Sequence, residues 1–168
     1  NPPVLIKFVL YQDELEMSII HKDIAAIRED YSKYSLEEQD VSADPIVQFQ
    51  QWFQAALDAQ VPEPTAMVLS TVSPQGQPSS RIVLLKDIKE QGLTFFTNYA
   101  SRKGEEMAAN AQVSILFFWP ALQRQVRLEG CVSKVDAQES TDYFNSRPKD
   151  SRIGAIASPQ SQVIASRT

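Results

Sequence analysis

Short apolar runs alternate with turn signals through the middle of the chain. The runs are rich in Val, Ile, Leu and Phe, and turn residues such as Pro74, Gly76 and Gly92 separate them. Runs of this length, bounded by Gly and Pro, are typical of strands rather than helices. The pattern predicts strands over residues 65–72, 77–86, 93–98, 113–119 and 123–135. Because they follow one another as hairpins, an antiparallel barrel is expected.

Helical patterns flank these strands. Asp44 and Pro45 predict a helix start, with Asp as N-cap and Pro at the first helical position, ahead of an apolar face that includes Phe49 and Phe53. Ser101 and Asp136 are predicted N-caps of two further helices, over residues 102–110 and to about residue 146. A last helix is expected over residues 150–157. The predicted fold class is therefore mainly β with flanking helices (α+β).

Four cations lie at the edges of two predicted strands: Arg81, Lys86, Arg102 and Lys103. In a regular strand Arg81, Val83 and Leu85 face one way and Ile82, Leu84 and Lys86 the other, and the apolar run 82–85 is predicted to be a buried strand with cations at its ends. Unpaired charges near a core are costly. With a helix start beside them, the cations favour a phosphate site. Taken singly, each is better explained as an ordinary surface charge, and only the grouping of four favours an anion site.

Composition and charge narrow the class of protein. The chain has 168 residues and a net charge of −5, and no apolar run approaches the roughly 20 residues of a membrane helix. Residues 1–80 carry −8 and residues 81–168 carry +3. This balance argues against a nucleic-acid surface and suits a small phosphorylated ligand. The lone Cys131 is predicted to be a small core residue in a cytoplasmic protein, and one His with one Cys makes a metal site improbable.

A second candidate phosphate site is formed by Tyr143, Arg147 and Ser151, which fall four residues apart. Pro148 interrupts the helix, so the three residues line a helix-to-helix junction. A solvated helix end, with Arg147 paired to Asp150, explains the spacing equally well.

Acid–base machinery is not evident in the sequence. The only histidine, His21, lies in a polar N-terminal stretch, and Glu105 and Glu106 are interpreted as helix-start charges. No catalytic side chain is predicted. The chemistry is then either that of a bound cofactor or absent.

Three segments are predicted along the chain. Residues 1–16 are interpreted as a non-native extension, because Met17 resembles a native start and the apolar stretch before it lacks secretory features. Residues 17–43 form an arm, and residues 44–168 form the main domain.

Several segments carry a family resemblance: PTAMVLSTVSPQGQPSSRIVLLKDI, GLTFFTNYASRKGEEM, RQVRLEG and YFNSRPKDSRIGAIASPQSQVI. Together they resemble the pyridoxine/pyridoxamine 5′-phosphate oxidase family, over roughly residues 24–167. The resemblance implies a cytoplasmic homodimer with an antiparallel split β-barrel fold and FMN at the subunit interface. It further implies an oxidoreductase of vitamin B6 metabolism, which converts pyridoxine 5′-phosphate and pyridoxamine 5′-phosphate to pyridoxal 5′-phosphate. Hydride would pass from the substrate C4′ carbon to N5 of FMN, with O2 as the final acceptor.

The resemblance also implies two sets of ligand-binding residues. The FMN set consists of Arg81, Ile82, Val83, Leu84, Leu85, Lys86, Phe96, Thr97, Arg102, Lys103, Gln125, Gln160 and Ser161. The substrate set consists of Arg28, Tyr31, Lys86, Tyr143, Arg147 and Ser151. Phe96 stands where the family often has Tyr. By this resemblance both sets would act by positioning and charge compensation, with no general base and no metal.

One departure from the family and two other functions remain open. The family continues beyond residue 168 with an Arg-x-His substrate motif and further flavin contacts, so this chain is expected to bind FMN weakly and turn over poorly.

One alternative is a split-barrel flavin reductase or flavin-binding protein with another substrate. The other is a non-enzymatic module that binds anions or nucleic acid, which predicts colourless protein and steeply salt-dependent binding to polyanions.

Overall fold

The computed structural model describes residues 28, 30, 32, 35–89, 92–157, 160 and 161. The chain divides into two compact units, residues 1–31 and 32–168. Of the first unit only Arg28 and Asp30 are described, and both are exposed. The predictions for residues 1–16, His21 and Tyr31 lie outside the described residues, and the boundary at residue 44 stays a prediction.

A five-stranded sheet forms the body of the second unit, in the order β3-β2-β1-β4-β5. Every neighbouring pair is antiparallel, as predicted. The last strand ends several residues before the predicted limit, at Cys131, whose side chain is exposed. The prediction of a core position for Cys131 is therefore wrong. The strands are β1 (Ala66–Val72), β2 (Pro78–Lys89), β3 (Gly92–Phe95), β4 (Gln112–Trp119) and β5 (Arg124–Cys131).

The β1–β2 hairpin fixes which residues meet at its closed end. Its turn contains Gly76 at φ +83°, in the left-handed region that glycine tolerates best. The register pairs Leu69 with Arg81 and Thr71 with Ser79. Directly paired residues share a face, so these four side chains lie on one side of the sheet.

The described ranges contain four α-helices, and the N-caps of the first three are the residues that the sequence predicts. The Asp44, Ser101 and Asp136 side chains accept hydrogen bonds from backbone N–H groups of the helices that follow them. Each cap satisfies a donor that the first helical turn leaves unpaired. The described part has no helix long and apolar enough to cross a membrane. The helices are α1 (Pro45–Asp58), α2 (Arg102–Ala109), α3 (Ala137–Ser146) and α4 (Lys149–Ala157), with short 3-10 turns at Glu38–Asp40 and Pro120–Leu122.

The hydrophobic core lies between α1 and the inner face of the sheet. Phe49 of α1 is 5.0 Å from Phe117 of β4 between ring centroids, and 6.3 Å from Trp119. The inward residues of β1 and β2, including Met67 and Leu69, complete this core. Each large side chain buried in this way contributes roughly 1.5–3 kcal/mol to folding.

The opposite face of the sheet carries large apolar side chains that are not buried. Ile82 is 61% exposed, Leu84 39% and Phe118 56%, whereas their neighbours Val83 and Leu85 are buried. In the single chain the prediction of a buried strand over residues 82–85 is therefore wrong for Ile82 and Leu84. Val68 and Leu116 are half-buried and pair with each other, and Val68 also pairs with Ile82, so they share this face. We call these five residues the apolar outer face.

Candidate functional site

A buried carboxylate lies where α2 meets the closed end of the β1–β2 hairpin. Glu106 is 4% exposed, and its Oε2 accepts hydrogen bonds from Thr71 Oγ1 at 2.5 Å and Ser79 Oγ at 2.7 Å. Its Oε1 accepts from Arg102 Nε at 2.8 Å, and its Oε2 lies 3.4 Å from an Arg81 Nη atom. The interpretation of Glu106 as a helix-start charge is therefore wrong. It is a buried acceptor that joins the helix to the sheet.

These contacts keep Glu106 ionised. The Thr71 hydrogen bond is the main cause that lowers the pKa of Glu106, to about 2, against burial, which favours the neutral form. Ser79 and Arg102 lower the pKa further. At neutral pH the carboxylate therefore keeps its full negative charge inside the protein.

We expect this carboxylate to make the fold sensitive to acid. The pKa of Glu106 in the folded chain, about 2, lies below its ordinary value of 4.5. Its ionised form therefore stabilises the fold above about pH 4.5, and that contribution, on the order of 3 kcal/mol, is lost as the pH falls toward 2. Urea unfolding at pH 7 and pH 3 should show a smaller decline in Glu106→Gln than in wild type. Glu105→Gln, an exposed neighbour, should keep the full decline, and equal declines in both variants would contradict the assignment.

Arg81 is held by the sheet itself. Its Nη1 donates to Thr71 Oγ1 at 2.6 Å, to the Leu69 carbonyl at 3.2 Å and to the Ser79 carbonyl at 3.1 Å. Its Nη2 donates to Ser79 Oγ at 2.5 Å. The anionic partner that the sequence requires for this cation is thus provided within the chain, by Glu106. The Arg102 side chain shares that partner and is 60% exposed.

Lys103 has a different environment. It is 8% exposed, and its Nζ donates to Ser101 Oγ at 3.2 Å and to Gln160 Oε1 at 2.9 Å. Within the described ranges no carboxylate forms an ion pair with it. Burial lowers the pKa of Lys103, and the nearby positive charge of Arg81 lowers it further. We call Arg81, Arg102, Lys103 and Glu106 the basic cluster, whose formal charge is +2 because three cations face one carboxylate.

A buried hydroxyl without a partner follows β3. Thr97 Oγ1 is inaccessible to solvent and makes no hydrogen bond within the described part of the chain. Buried hydroxyls are usually satisfied, so Thr97 Oγ1 has hydrogen-bonding capacity left for a ligand or water. Thr97 is also one of the residues that the family resemblance assigns to FMN.

A groove of about 510 Å³ opens beside the end of β3. The rings of Phe96 and Tyr143 stack in it, 3.5 Å apart between centroids and 3° from parallel, with Lys86 in the same lining. Lys89 Nζ contacts Glu139 Oε1 at 2.7 Å and so ties β2 to α3. The structure therefore brings a predicted FMN residue, Phe96, against a predicted substrate residue, Tyr143.

The predicted junction between two helices is confirmed. Arg147 is the C-cap of α3, α4 begins at Lys149, and Ser151 and Arg147 are both half-buried. The described ion pairs do not include one between Arg147 and Asp150, so that alternative receives no support. In α4, Arg152 Nε is buried without a hydrogen-bond partner. The assignment of this junction to a substrate phosphate stays a prediction.

Other predicted ligand residues are dispersed. Val83 and Leu85 are part of the core, whereas Ile82, Leu84 and Lys86 are exposed on the other side of β2. Gln125 is exposed on β5 opposite Phe118, Ser161 is exposed, and Arg28 belongs to the first unit. Within one copy of the chain, the predicted FMN residues therefore divide between the two faces of the sheet.

Sequence reasoning missed the residues that accept hydrogen bonds from Arg81 and Arg102. They are Thr71, Ser79 and Glu106. One signal was available. Met67 and Leu69 alternate toward the core, and the next position in that alternation is Thr71, a hydroxyl that burial obliges to find a partner.

Comparison with known proteins connects the site to one family. A family model described as pyridoxamine 5′-phosphate oxidase matches residues 53–168. A pyridoxine/pyridoxamine 5′-phosphate oxidase of Paraburkholderia xenovorans is 57% identical over 145 residues, which are 86% of this chain and 68% of that protein. The corresponding protein of a Nostoc species is 54% identical over 146 residues, with 87% and 68% covered.

Solved structures agree on the fold. PhzG from Burkholderia lata, in complex with tetrahydrophenazine-1-carboxylic acid, is 28% identical with a TM-score of 0.76, over 79% of this chain and 67% of that one. A pyridoxamine 5′-phosphate oxidase-related, FMN binding protein from Nostoc punctiforme has a TM-score of 0.59 at 18% identity, over 76% and 70% of the two chains. The predicted antiparallel split barrel with flanking helices is thereby confirmed. The chain belongs to the pyridoxamine 5′-phosphate oxidase family.

Proposed function

We propose that this chain binds FMN and oxidises pyridoxine 5′-phosphate and pyridoxamine 5′-phosphate to pyridoxal 5′-phosphate, with O2 as acceptor. The observation that carries the proposal is the buried cation Lys103, held by Ser101 and Gln160 without a described carboxylate. A phosphate monoester carries about −1.5 to −2 charges at neutral pH. That charge complements the +2 of the basic cluster. The names of the relatives suggest the substrates.

The residues present fit a phosphorylated flavin. Lys103 and Arg102 would compensate the negative charge of the phosphate. Gln160, which accepts from Lys103, and its neighbour Ser161 would offer further polar contacts to the flavin. The unpartnered Thr97 Oγ1 offers a hydrogen bond that the protein does not use. When bound, FMN would supply the hydride acceptor that no side chain can provide.

The groove beside Phe96 and Tyr143 is the place proposed for the substrate ring. Its lining is net acidic, with Lys86 and Lys89 against Asp87, Asp136, Glu139 and Asp142, so the phosphate of an anionic vitamer would need Lys86 and Arg147 to offset these carboxylates. Arg147 and Ser151 are half-buried at the α3–α4 junction, where a guanidinium and a hydroxyl are suited to a phosphate. Their contribution would be orientation and charge compensation, which are established routes to rate enhancement without a general base.

The apolar outer face supports a homodimer. Exposed Ile82, Leu84 and Phe118 adjoin half-buried Val68 and Leu116 on one side of the sheet. Contiguous exposed apolar side chains of this size mark interaction surfaces. Lys86 and Gln125, predicted to bind ligands, lie on that side too. A second copy docked there would bring its own residues to the ligands of the first.

The test begins with flavin binding. Titration of the purified protein should quench FMN fluorescence with a much lower Kd than that of riboflavin, which lacks the phosphate. Pyridoxine 5′-phosphate should then yield hydrogen peroxide in a coupled assay. Colourless protein without FMN-dependent quenching, combined with steeply salt-dependent binding to a polyanion, would replace the oxidase by an anion-binding module.

Two arginine variants should separate the two phosphate sites. We expect Arg147→Ala to raise the Kd of pyridoxine 5′-phosphate by about tenfold and to leave FMN nearly unchanged, because a charge-assisted hydrogen bond is lost only at the substrate. Arg102→Ala should raise the Kd of FMN by about threefold, the smaller effect expected of a 60% exposed side chain.

Fluorescence titration gives the flavin Kd, and changes in flavin absorbance give the substrate Kd. Arg124→Ala is a suitable control because Arg124 lies over the Trp52 ring and belongs to neither predicted ligand set. Equal effects of Arg147→Ala and Arg102→Ala on both ligands would contradict two separate sites.

A further inference from the structure

Glu106 is an unexpected group in a phosphate site, because its negative charge would repel the ligand. Its two oxygens are nevertheless filled by donors from three elements: Thr71 of β1, Ser79 of β2 and Arg102 of α2. At 4% exposure it is among the most buried charged groups of the described chain. A carboxylate whose two oxygens both accept hydrogen bonds from other elements is suited to hold those elements in place.

The hydroxyls between Glu106 and Arg81 can point in only one direction. A hydroxyl has a single proton to donate. Thr71 Oγ1 and Ser79 Oγ each donate that proton to Glu106 Oε2, so their lone pairs face Arg81, which donates to both at 2.6 and 2.5 Å. The ionised Glu106 therefore orients the two hydroxyls that, together with the Leu69 and Ser79 carbonyls, hold the Arg81 guanidinium.

We propose that Glu106 is a positioning residue for the phosphate of FMN, which fixes Arg81 and Arg102 and sets the basic cluster at a charge of +2. This inference rests on the function proposed above. Loss of orientation should outweigh relief of repulsion, because the two arginines that contact Glu106 already compensate its charge. Without it, Arg102 loses its described ion-pair partner and extends freely into solvent.

The variant Glu106→Gln keeps the shape and removes one acceptor oxygen. Its amide NH2 cannot accept from Arg102 or from the hydroxyls. We expect the Kd of FMN to rise by about tenfold, as for loss of a charge-assisted hydrogen bond, with the Kd of riboflavin changed by less than about twofold. Glu105→Gln is the matched control, since it removes the same charge from an exposed position on the same helix and should leave both Kd values unchanged.

A second readout does not depend on flavin. In 15N-labelled wild-type protein, the guanidinium N–H groups of Arg81 should exchange slowly with water and give separate signals, because the Thr71 and Ser79 hydroxyls, oriented by Glu106, hold both Nη atoms in addition to the sheet carbonyls. In Glu106→Gln these signals should broaden or merge. A merely structural role would lower the melting temperature and leave them intact below it.

The outcomes separate the two proposals. Unchanged FMN affinity and unchanged Arg81 signals in Glu106→Gln would overturn the positioning role. Equal wild-type affinity for FMN and riboflavin would overturn the phosphate site itself, and with it the proposed function. If Glu106→Gln does not fold, Ser79→Ala removes one of the two hydroxyls that link Glu106 to Arg81. It should loosen Arg81 and raise the Kd of FMN by about threefold, whereas Ser80→Ala, an exposed neighbour, should do neither.

Discussion

Replacement of Lys103 by methionine is expected to raise the Kd of FMN by about 100-fold and to leave the melting temperature unchanged or higher. Lys103 is 8% exposed, and burial lowers its pKa because the charged form is disfavoured there. Removing a buried cation without a carboxylate partner relieves a desolvation cost in the free protein. In the complex, the same change leaves the phosphate without its buried counter-charge. Stability and binding should therefore change in opposite directions.

Fluorescence titration with FMN and riboflavin, together with thermal unfolding without ligand, would measure both effects. Lys134→Met is the control, because Lys134 is exposed over the Tyr99 ring and carries the same charge. It should leave the Kd of FMN within about twofold of wild type. If Lys103→Met instead lowered the melting temperature and left FMN binding intact, Lys103 would be a structural cation and the proposed site would be wrong.

If the proposed homodimer forms through the apolar outer face, Phe118→Asp is expected to convert it into a monomer and to reduce FMN binding at the same time. The Phe118 side chain is 56% exposed in the single chain, so a carboxylate there should not disturb folding. In an interface the same carboxylate would be buried without a partner, at a cost of several kcal/mol. Ile82→Asp, at 61% exposure on the same face, should act in the same way.

Sedimentation analysis gives the oligomeric state, and circular dichroism shows whether the variants are folded. Leu57→Asp is a matched control, because Leu57 is 42% exposed on α1 and lies outside the apolar outer face. It should remain dimeric. A folded Phe118→Asp variant that still dimerises, or a wild-type protein that is monomeric at micromolar concentration, would rule out this face as the interface.

Local chemistry made much of the fold predictable. Asp44 with Pro45, Ser101 and Asp136 each specify a helix start through contacts within a few residues, and the structure has all three caps. The β1–β2 hairpin follows from a turn that contains Gly76 between two apolar runs. Such signals depend on neighbours in the chain, so a single sequence reveals them.

Other features depend on groups that are distant in sequence. Glu106 meets Thr71 and Ser79 across 35 and 27 residues, and no local pattern distinguishes it from Glu105. Strand alternation shows that Ile82 and Val83 face opposite sides, yet it does not say which side is covered. The contact between Lys103 and Gln160 spans 57 residues, and only the family resemblance placed both in one set.

The aromatic core gives this protein an intrinsic optical probe. Trp119 is 1% exposed among Phe49, Phe53 and Phe117, and its indole N–H donates to the Pro64 carbonyl at 3.1 Å. Trp52, the other tryptophan, is partly accessible beneath Arg124. Indole emission shifts to longer wavelengths on contact with water, so the red shift on denaturation should come mainly from Trp119. Iodide should quench Trp52 selectively in the folded chain, which lets unlabelled protein report separately on its interior and its surface.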